Sequence, residues 1–581
     1  MAFRWVYATP DRQESVLTLQ QELGVPQTIA HLLALRGIEN YDQAKKFFRP
    51  NIEQLYNPFL MKDMDKAATR LSNAIRNGEK VVVYGDYDVD GTTSCAMVHN
   101  FLRDFGVQVY YYIPHRYKEG YGINEEGIDY AQEKGCSLLV SVDCGITAID
   151  ETEYAKTKGI DLVICDHHTV GDKIPDAVAV LDPKRPDCDY PFDGLSGAGV
   201  VFKLVQAVLI KLGLPSSVAH KFLDLVCIST ASDIVPIVDE NRIIMHEGLK
   251  LLNSNPRPGL KALIDLVKLT LGKITSTSIV FSLGPRINAA GRMGDACKAI
   301  ELLISEEDFE SVNCAQQLEN INTKRKDIDS QTMAEATAMI EDCYNLEDNF
   351  ALVLYKPEWH LGVIGIVASR LVDLHHRPTV MLTKVNGKVK GSARSVKGMN
   401  IYDAFSACQP LLEQFGGHEF AAGVTLNEEN VPEFRRQINA LTKLEMTRRD
   451  LDPEITVDRE LDLNEIDAKF WRLLNQFEPF GPHNLRPTFV SKGIQIIGRP
   501  SVVGKGHLKL RLTHNGSAVF DAIGFNMHQH LPQLLNANDG EVQIAYVIEE
   551  NFWNGKHSLQ LRLRDVHVEA AISEKSKTAL A

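Results

Sequence analysis

Residues Val81 to Ser94 constrain this chain more than any other stretch. Val81-Val82-Val83-Tyr84 is apolar and β-branched, which predicts a strand buried on both faces of a parallel sheet. Asp86, Asp88 and Asp90 follow at every second position, and Gly91 with Thr92, Thr93 and Ser94 then opens a helix. Residues two apart in an extended backbone point the same way, so the three carboxylates are expected to converge. Carboxylates aimed at one point repel each other unless a cation lies between them. Hard divalent ions such as Mg²⁺ or Mn²⁺ favour oxygen ligands of this kind. For this stretch alone, helix capping by aspartate is the competing account.

Two further apolar runs also end on an acid. Leu138 to Val142 leads to Asp143, and Asp161 to Cys165 leads to Asp166, with His167 and His168 directly after it. Helix-like segments, such as Glu125 to Lys134 and Glu151 to Lys158, separate them. This is the punctuation of βαβ units, and in open α/β sheets ligands bind outside the carboxyl ends of the strands. A fourth acid, Asp233, follows Ala231-Ser232. Capping would have to hold at every one of these acids and also account for a paired histidine, whereas a metal-centred site explains both.

The 581 residues predict about three or four domains. Residues 1–60 read as a polar, partly helical lead-in, ending near Arg49-Pro50. Residues 61–295 read as the α/β domain, and 296–345 as a connecting helix, in which Leu318, Ile321, Arg325 and Ile328 keep helical spacing. Residues 346–450 return to α/β character, 451–570 alternate as short strands, and 571–581 form a frayed tail. His507 to Thr513 and Leu559 to Arg564 place leucines on one face and bases on the other. With the turn signals Asn515-Gly516 and Asn554-Gly555 they predict a small barrel or sandwich, and Phe552 and Trp553 read either as core residues or as base-stacking ones. Gly284 to Arg292 reads either as a tightly packed loop or as a stretch presenting Arg286 and Arg292 to phosphate.

A net charge of −14 argues, taken alone, against a nucleic-acid partner. Local charge matters more, and acid-free stretches from Arg377 to Lys397 and from Arg499 to Phe520 carry several bases. Val200 to Leu214 is too short for a membrane span and is broken by Lys203 and Lys211. No signal peptide is expected, and ten cysteines without C-x-x-C spacing suggest reduced thiols in the cytoplasm.

Asp88-x-Asp90, Asp143, Asp166-His167-His168 and Asp233 resemble the four motifs of the DHH phosphoesterases. Gly391-Ser392-x-Arg394 and Gly416-Gly417-His418 resemble the companion DHHA1 domain. More narrowly, Gly85 to Gly91, Arg286 to Arg292 and the C-terminal barrel resemble the RecJ branch, whose members are single-strand-specific 5′→3′ DNA exonucleases. The likeness runs in order over nearly the whole chain. It departs at Tyr84, where many relatives carry a histidine, and at His483 in Gly481-Pro482-His483-Asn484, where a glycine is expected before the asparagine.

The resemblance implies a parallel-sheet DHH domain, a long helix, a DHHA1 domain and an OB-fold barrel. It implies a site of two divalent ions, Mn²⁺ or Mg²⁺, with Asp143 bridging both. Asp90, His167 and Asp233 would complete one ion, Asp88 would help hold the other, and Asp86 would stand in for the missing histidine. His168 would face the scissile phosphate. Arg116, Arg286, Asn288, Arg292, Ser392, Arg394 and His418 would hold the 5′ end of single-stranded DNA. The implied setting is DNA repair and recombination by a monomer without a membrane anchor, working with single-strand-binding protein and a RecQ-type helicase. The competing readings are a phosphodiesterase for short oligonucleotides or cyclic dinucleotides, and a non-catalytic replication scaffold.

Overall fold

The computed structural model of the chain describes residues 3–538, 540–553 and 556–568. The side chains of Phe552 and Trp553, the turn Asn554-Gly555 and the tail 571–581 lie outside the described residues. The chain divides into two compact units, Pro50–Leu451 and Met1–Arg49 with Asp452–Ala581.

In the larger unit the apolar runs form a wholly parallel sheet of Val81–Gly85 (β1), Val109–Tyr112 (β2), Leu138–Val142 (β3), Asp161–Cys165 (β4) and Ala179–Leu181 (β5). Their order is β2-β1-β3-β4-β5. Both faces are covered, as the continuous hydrophobic runs require. Val81, Val83, Leu138 and Val140 enter one core, while Val82, Tyr84, Leu139 and Ile164 enter the other. With this order the connections diverge between β1 and β3, which is where such sheets bind ligands.

The helices Val89–Asp104 (α1), Gly197–Lys211 (α2) and Leu223–Ser232 (α3) pack on the first of these cores. α2 contains most of the stretch nearest to a membrane span in sequence, and it is instead a core helix, buried from Gly197 to Leu209. Its Lys203 pairs with Glu240 and donates to the Tyr56 carbonyl at 2.9 Å, so the charge is compensated inside the core. Among the described residues no helix is long and apolar enough to cross a membrane.

The stretch Gly284–Arg292 is neither a loop nor extended; it is a helix (α4) entered through a π-helical turn, Ile279–Leu283. The connecting helix is Asp308–Cys343 (α5), and its 36 residues span about 54 Å. Beyond it lies a mixed sheet of Leu352–Tyr355 (β6), Thr379–Val385 (β7), Lys388–Arg394 (β8), Leu412–His418 (β9) and Ala421–Leu426 (β10), in the order β9-β10-β8-β7-β6. The run Val363 to Ala368 lies in a crossover helix, Leu361–His375 (α6), between β6 and β7. On the central strand β8, Val389, Gly391 and Ala393 are buried, which leaves Ser392 and Arg394 together on the opposite face. The bases of this region are not one free patch. Lys384 pairs with Glu428, Lys388 with Glu413, and Arg377 donates to the carbonyls of Leu346, Asn349 and His375.

The smaller unit is built on Phe489–Ile496 (β11), His507–Thr513 (β12), Phe520–Gly524 (β13), Val542–Trp553 (β14) and Lys556–Val568 (β15). They run β11-β14-β15-β13-β12, and pairing of β12 back onto β11 closes a five-stranded barrel. Leu508, Leu510 and Leu512 point into it while Lys509 and Arg511 face outward. The N-terminal residues are more than a lead-in. Arg4–Tyr7 pairs in parallel with Glu454–Val457, and Leu19, Ile29 and Leu33 share the core of Phe477, Leu508 and Tyr546. At the family's expected glycine, His483 has φ +59°, the left-handed region that glycine enters without a Cβ clash. Its neighbour Asn484 holds the turn by donating to Phe477 and Pro479 carbonyls and accepting from Arg36.

Candidate metal centre and anion pocket

The strand β1 ends at Gly85, and the acids that follow converge by a different route from extended alternation. Asp86 lies in the turn, Asp88 is the N-cap of α1 and accepts from Gly91 N–H at 3.1 Å, and Asp90 sits in the first helical turn. Capping is thus part of the answer for Asp88, and the helix start folds Asp90 back toward the strand ends. Gly91 permits this, because a Cβ there would lie 2.5 Å from the Asp86 carbonyl oxygen. Asp90 is anchored by Gly197 N–H at 2.6 Å, Ala198 N–H at 2.7 Å and the Ser229 hydroxyl at 2.7 Å.

Asp143 caps β3 with φ +61°, a strained conformation for a residue with a Cβ and one found at functional sites. Beyond β4, Asp166 accepts from the backbone N–H groups of Ile146 and His167, both at 2.8 Å, and binds His168 Nδ1 at 2.7 Å. It therefore positions both histidines. Asp233 follows α3, beside Ile234 with φ +60°. His167 Nε2 lies 3.2 Å from Asp143, 3.5 Å from Asp233 and 3.6 Å from Asp90.

Three sets of side chains each bring their ligand atoms within 4.8 Å: Asp90 with His167 and Asp233, Asp86 with Asp88 and Asp143, and Asp143 with His167 and His168. Burial, and then the neighbouring carboxylates, push the Asp86, Asp88 and Asp143 carboxyls up. Burial followed by Asp90 and Asp88 pushes Asp233 up to about 9. The buried atoms Asp86 Oδ1, Asp143 Oδ1, Asp233 Oδ2 and both His167 nitrogens make no hydrogen bond. Buried acceptors without partners are costly. Hard carboxylate oxygens joined by imidazole fit Mn²⁺ or Mg²⁺, which would satisfy the carboxylate oxygens and His167 Nε2 together. Tyr84, at the position of the missing histidine, points away from the site and donates to the Gly122 carbonyl at 2.8 Å.

The acids Asp86, Asp88 and Asp233 line a cavity of about 340 Å³. It shares Tyr87, Arg116, Tyr121 and Arg292 with a larger cavity of about 460 Å³, whose other walls include Ser392, Arg394 and the Gly416-Gly417 backbone. Arg394 Nη1 donates to Ser392 Oγ at 2.9 Å, which fixes the pair. Burial, then Arg116, Arg394 and Arg325, push Arg292 down to about 10. The chamber is therefore cationic and short of anions.

The structure does not bring Arg286 or His418 to these walls. Arg286 is held by Glu319 through contacts of 2.5 and 3.2 Å. Six residues separate it from Arg292, about 240° around a helix, whereas Asn288 is four away and shares the face of Arg292. Asn288 Oδ1 accepts from Val89 N–H at 3.1 Å and ties α4 to the acid turn. His418 is exposed at the end of β9. Tyr87 and Tyr121 also line the site, although no motif marks them as site residues. Tyr87 carries the Arg116 guanidinium 4.7 Å over its ring, and the Tyr121 hydroxyl lies 3.2 Å from the Asp143 carbonyl and 3.4 Å from His168. The signal for Tyr121 was its flanking glycines, Gly120 and Gly122, both with positive φ.

Comparison with known proteins agrees with this architecture. Residues 80–230 match the DHH family N-terminal domain, 348–444 the DHHA1 domain and 457–565 the RecJ OB domain. The chain is 38% identical over 578 residues to the single-stranded-DNA-specific exonuclease RecJ of Bacillus subtilis, covering 98% of this chain and 71% of that protein. To the Salmonella typhimurium exonuclease of the same name it is 32% identical, covering 96% and 98%. The crystal structure of Thermus thermophilus RecJ in complex with Mn²⁺ superposes with a TM-score of 0.82 at 28% identity, over 98% of this chain and 80% of that one. The chain belongs to the RecJ family of single-stranded-DNA-specific exonucleases.

Proposed function

We propose that this chain removes nucleotides one at a time from the 5′ end of single-stranded DNA. It is a metal-dependent single-stranded-DNA exonuclease, like the relatives that carry that name. The observation that carries the direction is that the two cavities adjoin. The arginine-lined chamber and the acid-lined one have Tyr87, Arg116, Tyr121 and Arg292 in common. A terminal phosphate held in the first places the next phosphodiester at the acids of the second.

Asp90, His167 and Asp233 would hold one ion and Asp86, Asp88 and Asp143 the other, with Asp143, 3.2 Å from His167, close enough to be shared by both. When bound, Mn²⁺ or Mg²⁺ supplies Lewis-acid activation of the attacking water and charge neutralisation at the phosphate. Arg116, Arg292, Ser392 and Arg394 bind the 5′-phosphate through charge-assisted hydrogen bonds. Asp166 fixes His168 through Nδ1, leaving Nε2 to donate to a phosphoryl oxygen or to the leaving oxygen. In the metal-free fold the Asp166 carboxylate, against the effect of burial, raises the His168 pKa. Each cut leaves a new 5′-phosphate for the same chamber.

The barrel, with Lys509 and Arg511 outward, suits binding of the single strand. A phosphodiesterase for short oligonucleotides or cyclic dinucleotides would need neither this barrel nor the 36-residue helix. Action as a monomer in the cytoplasm, in repair and recombination, with single-strand-binding protein and a RecQ-type helicase, completes the reading by family resemblance. The test uses 5′-labelled single-stranded and duplex DNA with Mn²⁺ or EDTA. Labelled mononucleotide is expected as the first product, from the single strand and only with metal. Shortening from the unlabelled 3′ end would overturn the polarity.

A further inference from the structure

A third cavity, of about 220 Å³, adjoins both parts of the site and has no role in the chemistry above. It shares Ser232, Asn288 and Arg292 with the acid-lined cavity, and Arg292 also with the arginine-lined chamber. Val280, Pro285 and Ile366 form its apolar wall. Val280 stands on the π-helical turn and remains 38% exposed. Its polar wall holds unused hydrogen-bonding capacity. Ser232 Oγ is buried without a partner. The Asn288 carboxamide spends its oxygen on Val89 N–H, leaving its amide hydrogens without a bond among the described residues.

We propose that this cavity receives the nucleobase of the terminal nucleotide, an inference that rests on the exonuclease reading above. A nucleotide with its 5′-phosphate at Arg394 and its 3′-phosphate at the acids must send its base aside. Arg292 stands where all three compartments meet. The aliphatic wall suits the faces of a heterocycle. Every base carries a ring-nitrogen or a carbonyl acceptor that the Ser232, Asn288 and Arg292 donors can meet, so the cavity holds bases without choosing among them. A further phosphate is a poorer occupant, because Arg325 on the far wall is already engaged by Asn322 at 2.8 Å and Asp329 at 3.6 Å. Only an unpaired base enters such a cavity, so it adds to selection of single strands.

The test compares 5′-phosphorylated oligonucleotides that carry either a normal nucleotide or an abasic tetrahydrofuran residue at position one, cleaved by the Mn²⁺-loaded enzyme. Loss of the base at position one is expected to lower kcat/KM for the first cut about ten-fold, whereas the same lesion at a distal position leaves it unchanged. Ile366→Trp, or independently Val280→Phe, fills the cavity and should slow only the base-bearing substrate, erasing most of the difference. Equal kcat/KM for both substrates with the parent protein would overturn the proposal. So would an equal loss on both substrates in the two filled variants. Absence of any 5′-terminal cleavage of either substrate would overturn the exonuclease reading along with it.

Discussion

Asp233→Asn should make the metal-free protein more stable while damaging its metal site. In the metal-free fold Asp233 has a carboxyl raised to about 9, chiefly by burial and then by Asp90 and Asp88. In the unfolded chain its value is near 3.8. The folded state therefore binds more protons between these values, and the stability contributed by this group is full below the lower one and lost as pH rises toward the upper. At pH 7 the loss is at most about 4 kcal/mol, from roughly 1.36 kcal/mol for each pH unit above the unfolded value. Asparagine is a permanent copy of the protonated acid: its amide donates toward Asp90 and His167, the groups that Asp233 faces, without a titration cost. Thermal unfolding in EDTA, from pH 5 to 8, should show Asp233→Asn melting several degrees above the parent, with a gap that widens as pH rises. Excess Mn²⁺ should stabilise the parent by mass action and the variant much less. Coincident EDTA melting curves for parent and variant across the range would refute the account, as would an undiminished Mn²⁺ gain.

Four further outcomes are expected. Arg394→Ala should lose the parent's preference for a 5′-phosphate over a 5′-hydroxyl, measured as initial rates on matched single strands. Arg286→Ala should keep that preference and instead lose about 2 kcal/mol of stability by leaving Glu319 half-buried and unpaired, as read from denaturant unfolding. His168→Ala should lower kcat by about two to four orders of magnitude in single-turnover assays, with Mn²⁺-induced stabilisation retained. His483→Gly should raise the melting temperature, because relief of the left-handed backbone is worth about 1 kcal/mol.

Much of the site was legible without coordinates because it lies at strand ends. A parallel strand buried on both faces announces itself as an unbroken apolar run. The residue after it must emerge at the carboxyl edge of the sheet, so Asp86, Asp143 and Asp166 were placed by one-dimensional pattern alone. The long helix and the alternating barrel strands were equally readable, since 3.6- and 2-residue periods survive in the chain itself.

What the tertiary structure alone decided was facing and pairing. Asp90 reaches the metal site through the first turn of a helix, and a period-two argument arrives at the right convergence by the wrong geometry. Arg286 and Arg292 look equivalent in sequence, yet a helix turns one toward Glu319 and the other toward the chamber. The parallel strand Arg4–Tyr7 and the N-terminal leucines complete a core whose other residues lie beyond position 452. No local signal carries such a pairing, because the free energy that selects it comes from apolar surface contributed by both distant segments at once.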